Sequence, residues 1–138
     1  MNYLLDTNVV TEIRKRSANV NVVAWVNSVP EHSLFLSVLV VGEIRQGIER
    51  LQRRDPAQAA VFRDWLTTLL STYKDRIVAV TVEIADEWGR LNAPDPLPII
   101  DGLLAATAKV HGWTLVTRNT ADVTRTGVAL LNPFQVQN

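Results

Sequence analysis

The chain of 138 residues contains no cysteine. This absence excludes disulfide bonds and thiolate metal sites together. A metal ion bound by this chain would need oxygen ligands or one of the two histidines, His32 and His111. Oxygen ligands are the ligands of hard cations such as Mg²⁺ and Mn²⁺.

Net charge and long apolar runs are also missing. Fourteen basic and fourteen acidic residues cancel, so the composition does not by itself indicate nucleic-acid binding, which would depend on local patches. Low net charge also weakens repulsion between copies and favours self-association. No stretch approaches the roughly 20 apolar residues that span a bilayer, and no signal-peptide pattern is present. We therefore expect a cytoplasmic protein.

The composition is that of a globular protein. Hydrophobic residues make up 47% and charged residues 20%, with six glycines and six prolines. A chain of this length buries roughly two-thirds of the surface that its unfolded form exposes. We expect one domain, residues 1–138.

Apolar runs of strand length alternate with segments of helical period, which predicts an α/β fold with a parallel sheet. Predicted strands cover residues 3–5, 34–36, 77–80, 114–117 and 128–131, of which 34–36 is either a strand or an extended entry to a helix. Predicted helices cover residues 9–15, 22–28, 38–53, 57–72, 82–91 and 99–110. Asn21, Ser37 and Thr81 are the predicted caps of the second, third and fifth of these helices, and Val61 is predicted on the buried face of the fourth. Residues 118–126 are predicted to form a loop.

Four acids fall where strands end or where helices begin. Asp6 follows the first strand, Asp101 lies in the first turn after a proline-rich loop, Asp122 follows the strand 114–117, and Glu43 lies in the second turn of a helix. Each alone has a structural explanation as a cap, a helix-dipole partner, a turn residue or an exposed helix residue. We expect Thr7 or Asn8, rather than Asp6, to cap the first helix.

Taken together, the acids indicate a cation site. Glu43 and Asp101 interrupt apolar surroundings, and an unpaired buried carboxylate is costly. Two carboxylates ~4 Å apart repel by roughly 4 kcal/mol at an effective dielectric constant near 20. Such a cluster needs a divalent cation or a raised pKa.

The residues around these acids resemble the PIN-domain ribonucleases, and within them the VapC-like and FitB-like toxins of bacterial toxin–antitoxin pairs. The resemblance rests on four blocks in order, LLDTNVVTEIRK, SVLVVGEIRQGIERL, PIIDGLLAATAKVHGWTLVTRN and GVALLNPF. It implies a three-layer α/β/α sandwich with a mainly parallel central sheet of four to five strands.

The resemblance also implies roles for single residues. Asp6, Glu43, Asp101 and Asp122 would be the catalytic acids that bind Mg²⁺ or Mn²⁺, Thr7 and Asn8 would support Asp6, and Thr117 and Asn119 would line the same pocket. Val123 departs from the family, which more often has an aromatic residue after this acid. The implied activity is metal-dependent cleavage of RNA that leaves 3′-hydroxyl and 5′-phosphate ends. The implied partners are an antitoxin in the active-site groove and a second copy of the chain, with a higher assembly possible.

Basic residues must guide an anionic substrate past an acidic site. The candidates are Arg14, Lys15, Arg16, Arg45, Arg50 and Arg118. Arg45 and Arg118 are preferred as RNA-phosphate contacts because each lies close in sequence to a predicted metal ligand.

Two alternatives stay open at this point. A phosphohydrolase with Asp6 as nucleophile would usually have a second acid two residues later, where this chain has Asn8. A non-catalytic module would use the same acids to dock a basic peptide, or would bind RNA without cleaving it. Loss of cleavage with retained RNA binding in Asp6→Asn would favour the enzyme.

Overall fold

Strand β1 (Tyr3–Leu5) lies at the centre of a five-stranded sheet with the order β3-β2-β1-β4-β5. The other strands are β2 (Leu34–Ser37), β3 (Ile77–Val78), β4 (Thr114–Val116) and β5 (Leu130–Leu131). Every pairing is parallel, and Tyr3 lies opposite both Leu34 and Thr114. The computed structural model describes residues 1–137, and Asn138, the last residue of the predicted domain, lies outside the described range.

Seven α-helices accompany the sheet in the described part of the chain. They are α1 (Thr7–Arg14), α2 (Val20–Ser28), α3 (Val38–Gln52), α4 (Pro56–Thr72), α5 (Val82–Asn92), α6 (Ile99–His111) and α7 (Thr120–Val123). Helix α3 packs against α4, α1 and β2, whereas α5 packs against α6, which contacts β1 and β4. The predicted α/β/α sandwich with a parallel sheet is therefore confirmed.

The core lies between the sheet and these helices. Leu4, Leu5, Leu36, Leu104 and Val116 are fully buried or nearly so. Strand β1 is apolar on both faces because helices cover both sides of a parallel sheet. Among residues 1–137, none of the helices combines the length and the apolar character needed to cross a membrane.

Short polar side chains fix where the helices begin. Ser37 accepts a hydrogen bond from the Leu39 N–H at 3.1 Å, and Thr81 accepts one from Ile84 at 3.2 Å. Asp55 caps α4, which has proline as its first residue. The predicted caps Ser37 and Thr81 are thus confirmed.

Other local predictions were wrong. Asn19 rather than Asn21 caps α2, because its side chain accepts hydrogen bonds from the N–H groups of residues 21 and 22. Asp6 itself caps α1, through a hydrogen bond from the Thr7 N–H. Val61 is 56% exposed instead of buried. The predicted loop 118–126 contains α7 and a short 3₁₀ helix.

Glycine ends α6 in a conformation that alanine tolerates poorly. Gly112 has φ 72 in the left-handed region, and its N–H donates to the carbonyl groups of Ala108 and Lys109. We expect Gly112→Ala to lower the free energy of unfolding by about 1–2 kcal/mol. Gly89→Ala, inside α5 with open space at its Cβ, should raise it by about 0.5–1 kcal/mol. Urea unfolding measures both, and equal effects of the two substitutions would contradict the left-handed C-cap.

Candidate active site

Asp6 is a buried carboxylate at the carboxyl end of β1. Its backbone N–H donates to the Val116 carbonyl at 2.9 Å, so the residue is still joined to β4. Its side chain is oriented by hydrogen bonds from Thr117 Oγ1 at 2.7 Å, from the Thr7 N–H at 2.7 Å and from Asn8 Nδ2 at 3.3 Å. Three donors from two chain segments thus fix one carboxylate.

These hydrogen bonds do not fully offset the cost of burial. Burial raises the pKa of Asp6, while the hydrogen bonds from Thr117, Thr7 and Asn8 lower it, and the net pKa lies above the ordinary value of 3.8. The ionised form of Asp6 is therefore less favourable here than in water.

Asp101 shows that the four acids share one region. It lies in the first turn of α6 and is half-buried. Burial is the largest cause that raises its pKa. The next causes are the negative charges of Asp6, Asp122 and Glu43, in that order. Asp6 at the end of β1, Glu43 on α3 and Asp122 on α7 therefore lie close enough to Asp101 on α6 to disfavour its ionised form, and we call these four residues the acidic site.

Thr7 connects two members of the acidic site. Its hydroxyl donates to Glu43 Oε1 at 2.6 Å, and its backbone N–H donates to Asp6. The sequence predicted Thr7 as a support of Asp6 but missed the contact with Glu43, which is 36 residues away. Glu43 is half-buried on α3, so the bond fixes its carboxylate relative to β1.

Thr117, Asn8 and Asn119 surround Asp6 as well. Thr117 is buried, and its hydroxyl also accepts hydrogen bonds from the Asn119 N–H at 3.0 Å and from Asn8 Nδ2 at 3.4 Å. Asn119 borders a narrow gap together with Asp6 and Asp101. Asp122 is exposed at the outside of this region.

The two preferred arginines already have partners within the chain. The Arg118 guanidinium lies 3.7 Å from the centre of the Phe134 ring and 3.9 Å from Glu12 Oε1, and its backbone N–H donates to Asn8 Oδ1 at 3.2 Å. Arg45 lies 3.6 Å from Glu49 on the exposed side of α3. Their roles as phosphate contacts stay predictions.

The donors of the acidic site suit a hard divalent cation. No three histidine, aspartate or glutamate side chains within residues 1–137 are already gathered closely enough to hold an ion. However, Asp6 and Asp101 border one narrow gap, which is too small in this structure to admit a water molecule, and both have raised pKa values. A cation between them would relieve the repulsion that raises the pKa of Asp101, and carboxylate oxygens are the ligands that Mg²⁺ prefers.

The charge of Asp101 should destabilise the metal-free protein. Well below pH 3.8, the ordinary pKa of this carboxyl, Asp101 is protonated in both folded and unfolded chains. As the pH rises from the pKa of the unfolded chain to the higher pKa of the folded chain, the unfolded chain releases this proton first. The free energy of unfolding therefore falls as the pH rises through this range. In EDTA, we therefore expect Asp101→Asn to have a larger free energy of unfolding than the native chain at neutral pH, and this difference should shrink towards pH 3.8.

Urea unfolding across this pH range measures the effect. Asp64→Asn is the control, because Asp64 is an exposed acid on α4 without an ion pair among residues 1–137. An equal effect of both substitutions at neutral pH would show that the acidic site carries no excess repulsion.

Comparisons with known proteins agree with this geometry. The profile of the family described as PIN domain matches residues 3–127. Toxin FitB of Neisseria gonorrhoeae is 31% identical over 137 residues, which cover 95% of this chain and 97% of that protein. VapC ribonuclease Y4jK of Sinorhizobium fredii is 28% identical over 140 residues, which cover 96% and 97%.

A solved structure agrees as well. The crystal structure of FitAcB from Neisseria gonorrhoeae superposes with a TM-score of 0.89 and 30% identity, covering 97% of this chain and 99% of that chain. The resemblance seen in the four sequence blocks is thus confirmed over nearly the whole length. The chain belongs to the PIN-domain family.

Proposed function

We propose that this protein is a Mg²⁺- or Mn²⁺-dependent endoribonuclease and the toxin of a toxin–antitoxin pair. The observation that carries the proposal is the acidic site, in which Asp101 is affected by the charges of three other acids from separate elements. The names of the relatives, a toxin and a ribonuclease, support it. We further propose that residues 1–138 form one nuclease domain and that it acts in the cytoplasm.

The residues have distinct tasks in this proposal. Asp6 and Asp101 would hold the metal ion, which when bound orients a water molecule and neutralises charge on the phosphoryl oxygens. Glu43, fixed by Thr7, would serve as a further ligand or would orient the attacking water. Attack of water on phosphorus breaks the bond to the 3′ oxygen and leaves 3′-hydroxyl and 5′-phosphate ends. Asp122, at the exposed edge, would act as an outer ligand.

Supporting residues would keep Asp6 correctly oriented. The hydroxyl of Thr117 and the amide of Asn8 both bind the same oxygen of Asp6. These two hydrogen bonds hold the Asp6 carboxylate in one orientation, as a metal ligand requires. Asn119, which borders the same gap as Asp6 and Asp101, would support this site.

An Asp6 nucleophile is less well supported. A nucleophilic carboxylate must be reached by the phosphodiester itself, and Asp6 is only 6% exposed, whereas a metal ligand needs only a lone pair that a small cation can reach. The residue two positions later is Asn8, whose amide donates to Asp6 instead of acting as a second acid. Phosphodiester hydrolysis with a water nucleophile therefore agrees better with the site.

An antitoxin would inhibit the enzyme by covering the acidic site. Four carboxylates in one region attract a basic segment, and an arginine side chain would pair with them as the metal ion would. Occupation of the active-site groove by such a segment would exclude RNA. The proposal thus assigns both substrate and inhibitor to one surface.

We expect cleavage to depend on both the metal and Asp6. The partner-free protein should cleave a mixed single-stranded RNA pool in Mg²⁺ or Mn²⁺ and should lose activity in EDTA. Asp6→Asn should lower cleavage by at least about 100-fold, a typical loss for a group that stabilises transition-state charge, while circular dichroism shows an intact fold. Sequencing of the product ends gives the cleavage site. If the native protein cleaves RNA neither with Mg²⁺ nor with Mn²⁺, the enzyme proposal is contradicted.

We also expect a homodimer. Val61 remains exposed on α4, and Val38, Val82 and Ile99 are exposed at the first residues of α3, α5 and α6. The zero net charge opposes association only weakly. Sedimentation velocity at micromolar concentration should give twice the mass of one chain, and the double substitution Val82→Glu with Ile99→Glu should shift it towards the monomer. A native monomer would contradict this expectation.

A further inference from the structure

A cavity, which we call the side groove, lies beside the acidic site between α1, α3 and α4. Its volume is about 250 Å³, and Thr7 and Glu43 form the end that joins the acidic site. Ile48, Phe62 and Trp65 contribute an apolar and aromatic wall. Pockets for drug-sized ligands measure about 300–1,000 Å³, so this groove suits a smaller group such as one nucleobase.

The side groove contains a partly buried cation without a carboxylate partner. The Arg14 guanidinium lies 4.0 Å from the centre of the Phe62 ring and 5.7 Å from that of Trp65. Burial lowers the pKa of Arg14, but a guanidinium stays charged in proteins. Arg14 forms no ion pair with an acid among residues 1–137, and Arg54, which also lines the groove, forms none either. Two cations and the single acid Glu43 favour an anionic occupant.

A missing side chain keeps the side groove open. Gly47 lies inside α3 and lines the groove, and a Cβ atom at this position would meet nothing within 4 Å. Glycine inside a helix costs roughly 0.5–1 kcal/mol relative to alanine. Since no contact within residues 1–137 requires glycine here, the space that it leaves is available to a group from outside the chain.

We propose that the side groove binds one unpaired nucleotide of the RNA substrate, next to the cleaved phosphodiester bond. Its base packs against Trp65 and Ile48, because the Arg14 guanidinium already covers the Phe62 ring, and its phosphate pairs with Arg14 and Arg54. The proposal rests on the proposed function. It adds a binding site that selects single-stranded RNA, because a paired base cannot enter the groove.

A nucleotide complements the side groove better than an apolar peptide side chain does. It joins a flat aromatic ring to a negative charge, which matches an aromatic wall beside two cations. An apolar peptide side chain would match the wall and leave both cations without a partner. A strand whose phosphate is at the acidic site also carries its neighbouring nucleotide to the groove, because Thr7 and Glu43 belong to both.

Filling the side groove tests the proposal. Gly47→Leu places a side chain in the open space, and Gly89→Leu is the matched control on α5, where a Cβ atom also meets nothing within 4 Å. Both are made in the Asp6→Asn background so that RNA binds without being cleaved. The probe is a fluorescein-labelled single-stranded RNA that spans a cleavage site mapped with native protein. By fluorescence anisotropy, Gly47→Leu should raise Kd about tenfold, and Gly89→Leu should leave it within about twofold.

Two further measurements separate stacking from charge. RNAs with an abasic nucleotide at each position in turn should include one position, beside the cleaved bond, at which Gly47→Leu no longer changes Kd. Arg14→Gln should reduce the slope of log Kd against log salt by about 0.7, the value for one phosphate on a single strand. Gly47→Leu should leave this slope unchanged. Thermal unfolding should show no loss of stability in Gly47→Leu, because leucine forms helices better than glycine.

Several results would overturn the proposal. Equal Kd values for Gly47→Leu and Gly89→Leu, or an abasic scan without a position-specific effect, would show that no base enters the groove. If Gly47→Leu weakens antitoxin binding and leaves RNA binding unchanged, the side groove is a protein-docking site instead. If native protein cleaves the RNA pool and these variants bind RNA normally, only the groove proposal fails. If native protein cleaves no RNA, the proposed function fails with it.

Discussion

The burial of the Asp6 carboxylate is the constraint on which the acidic site depends. A carboxylate at the end of a central strand loses most of its hydration, and three donors replace it. These donors are themselves fixed, since Thr117 directly follows β4 and Thr7 begins α1. The same contacts that reduce the cost of burial therefore join β1, α1 and β4 at the edge where the other acids lie. Stability and orientation come from one set of hydrogen bonds.

Unequal exposure gives the four acids different environments. Asp6 is buried, Asp101 and Glu43 are half-buried, and Asp122 is exposed. Loss of hydration disfavours an ionised carboxylate most where water is scarce, and burial is accordingly the largest cause that raises the pKa values of Asp6 and Asp101. A cation would gain most from binding near these two residues. The exposed end of the site would remain accessible to a long polymer.

Much of the sheet and of the acidic site was predictable from the sequence. Apolar runs fixed the strands, and the ends of parallel strands meet at one edge, which brought the acids together. The contact of Thr7 with Glu43 was not predictable, because it joins residues far apart in sequence. Asn19 and Asn21 both suit a helix cap, and only the backbone conformation distinguishes them. The side groove was missed because its walls come from three helices and Arg14 differs from a solvated arginine only through its aromatic neighbours.

Asp6 serves two purposes, since it caps α1 as well as belonging to the acidic site. Asparagine caps helices about as well as aspartate does, but it carries no charge to bind a cation. Under the proposed function, replacing one carboxylate oxygen by an amide nitrogen would end catalysis and leave the helix start intact. A variant that folds and no longer cleaves RNA, but still binds RNA or antitoxin, thus differs from this chain by one substitution. Such a chain would act as a competitor of the active enzyme in the same cell.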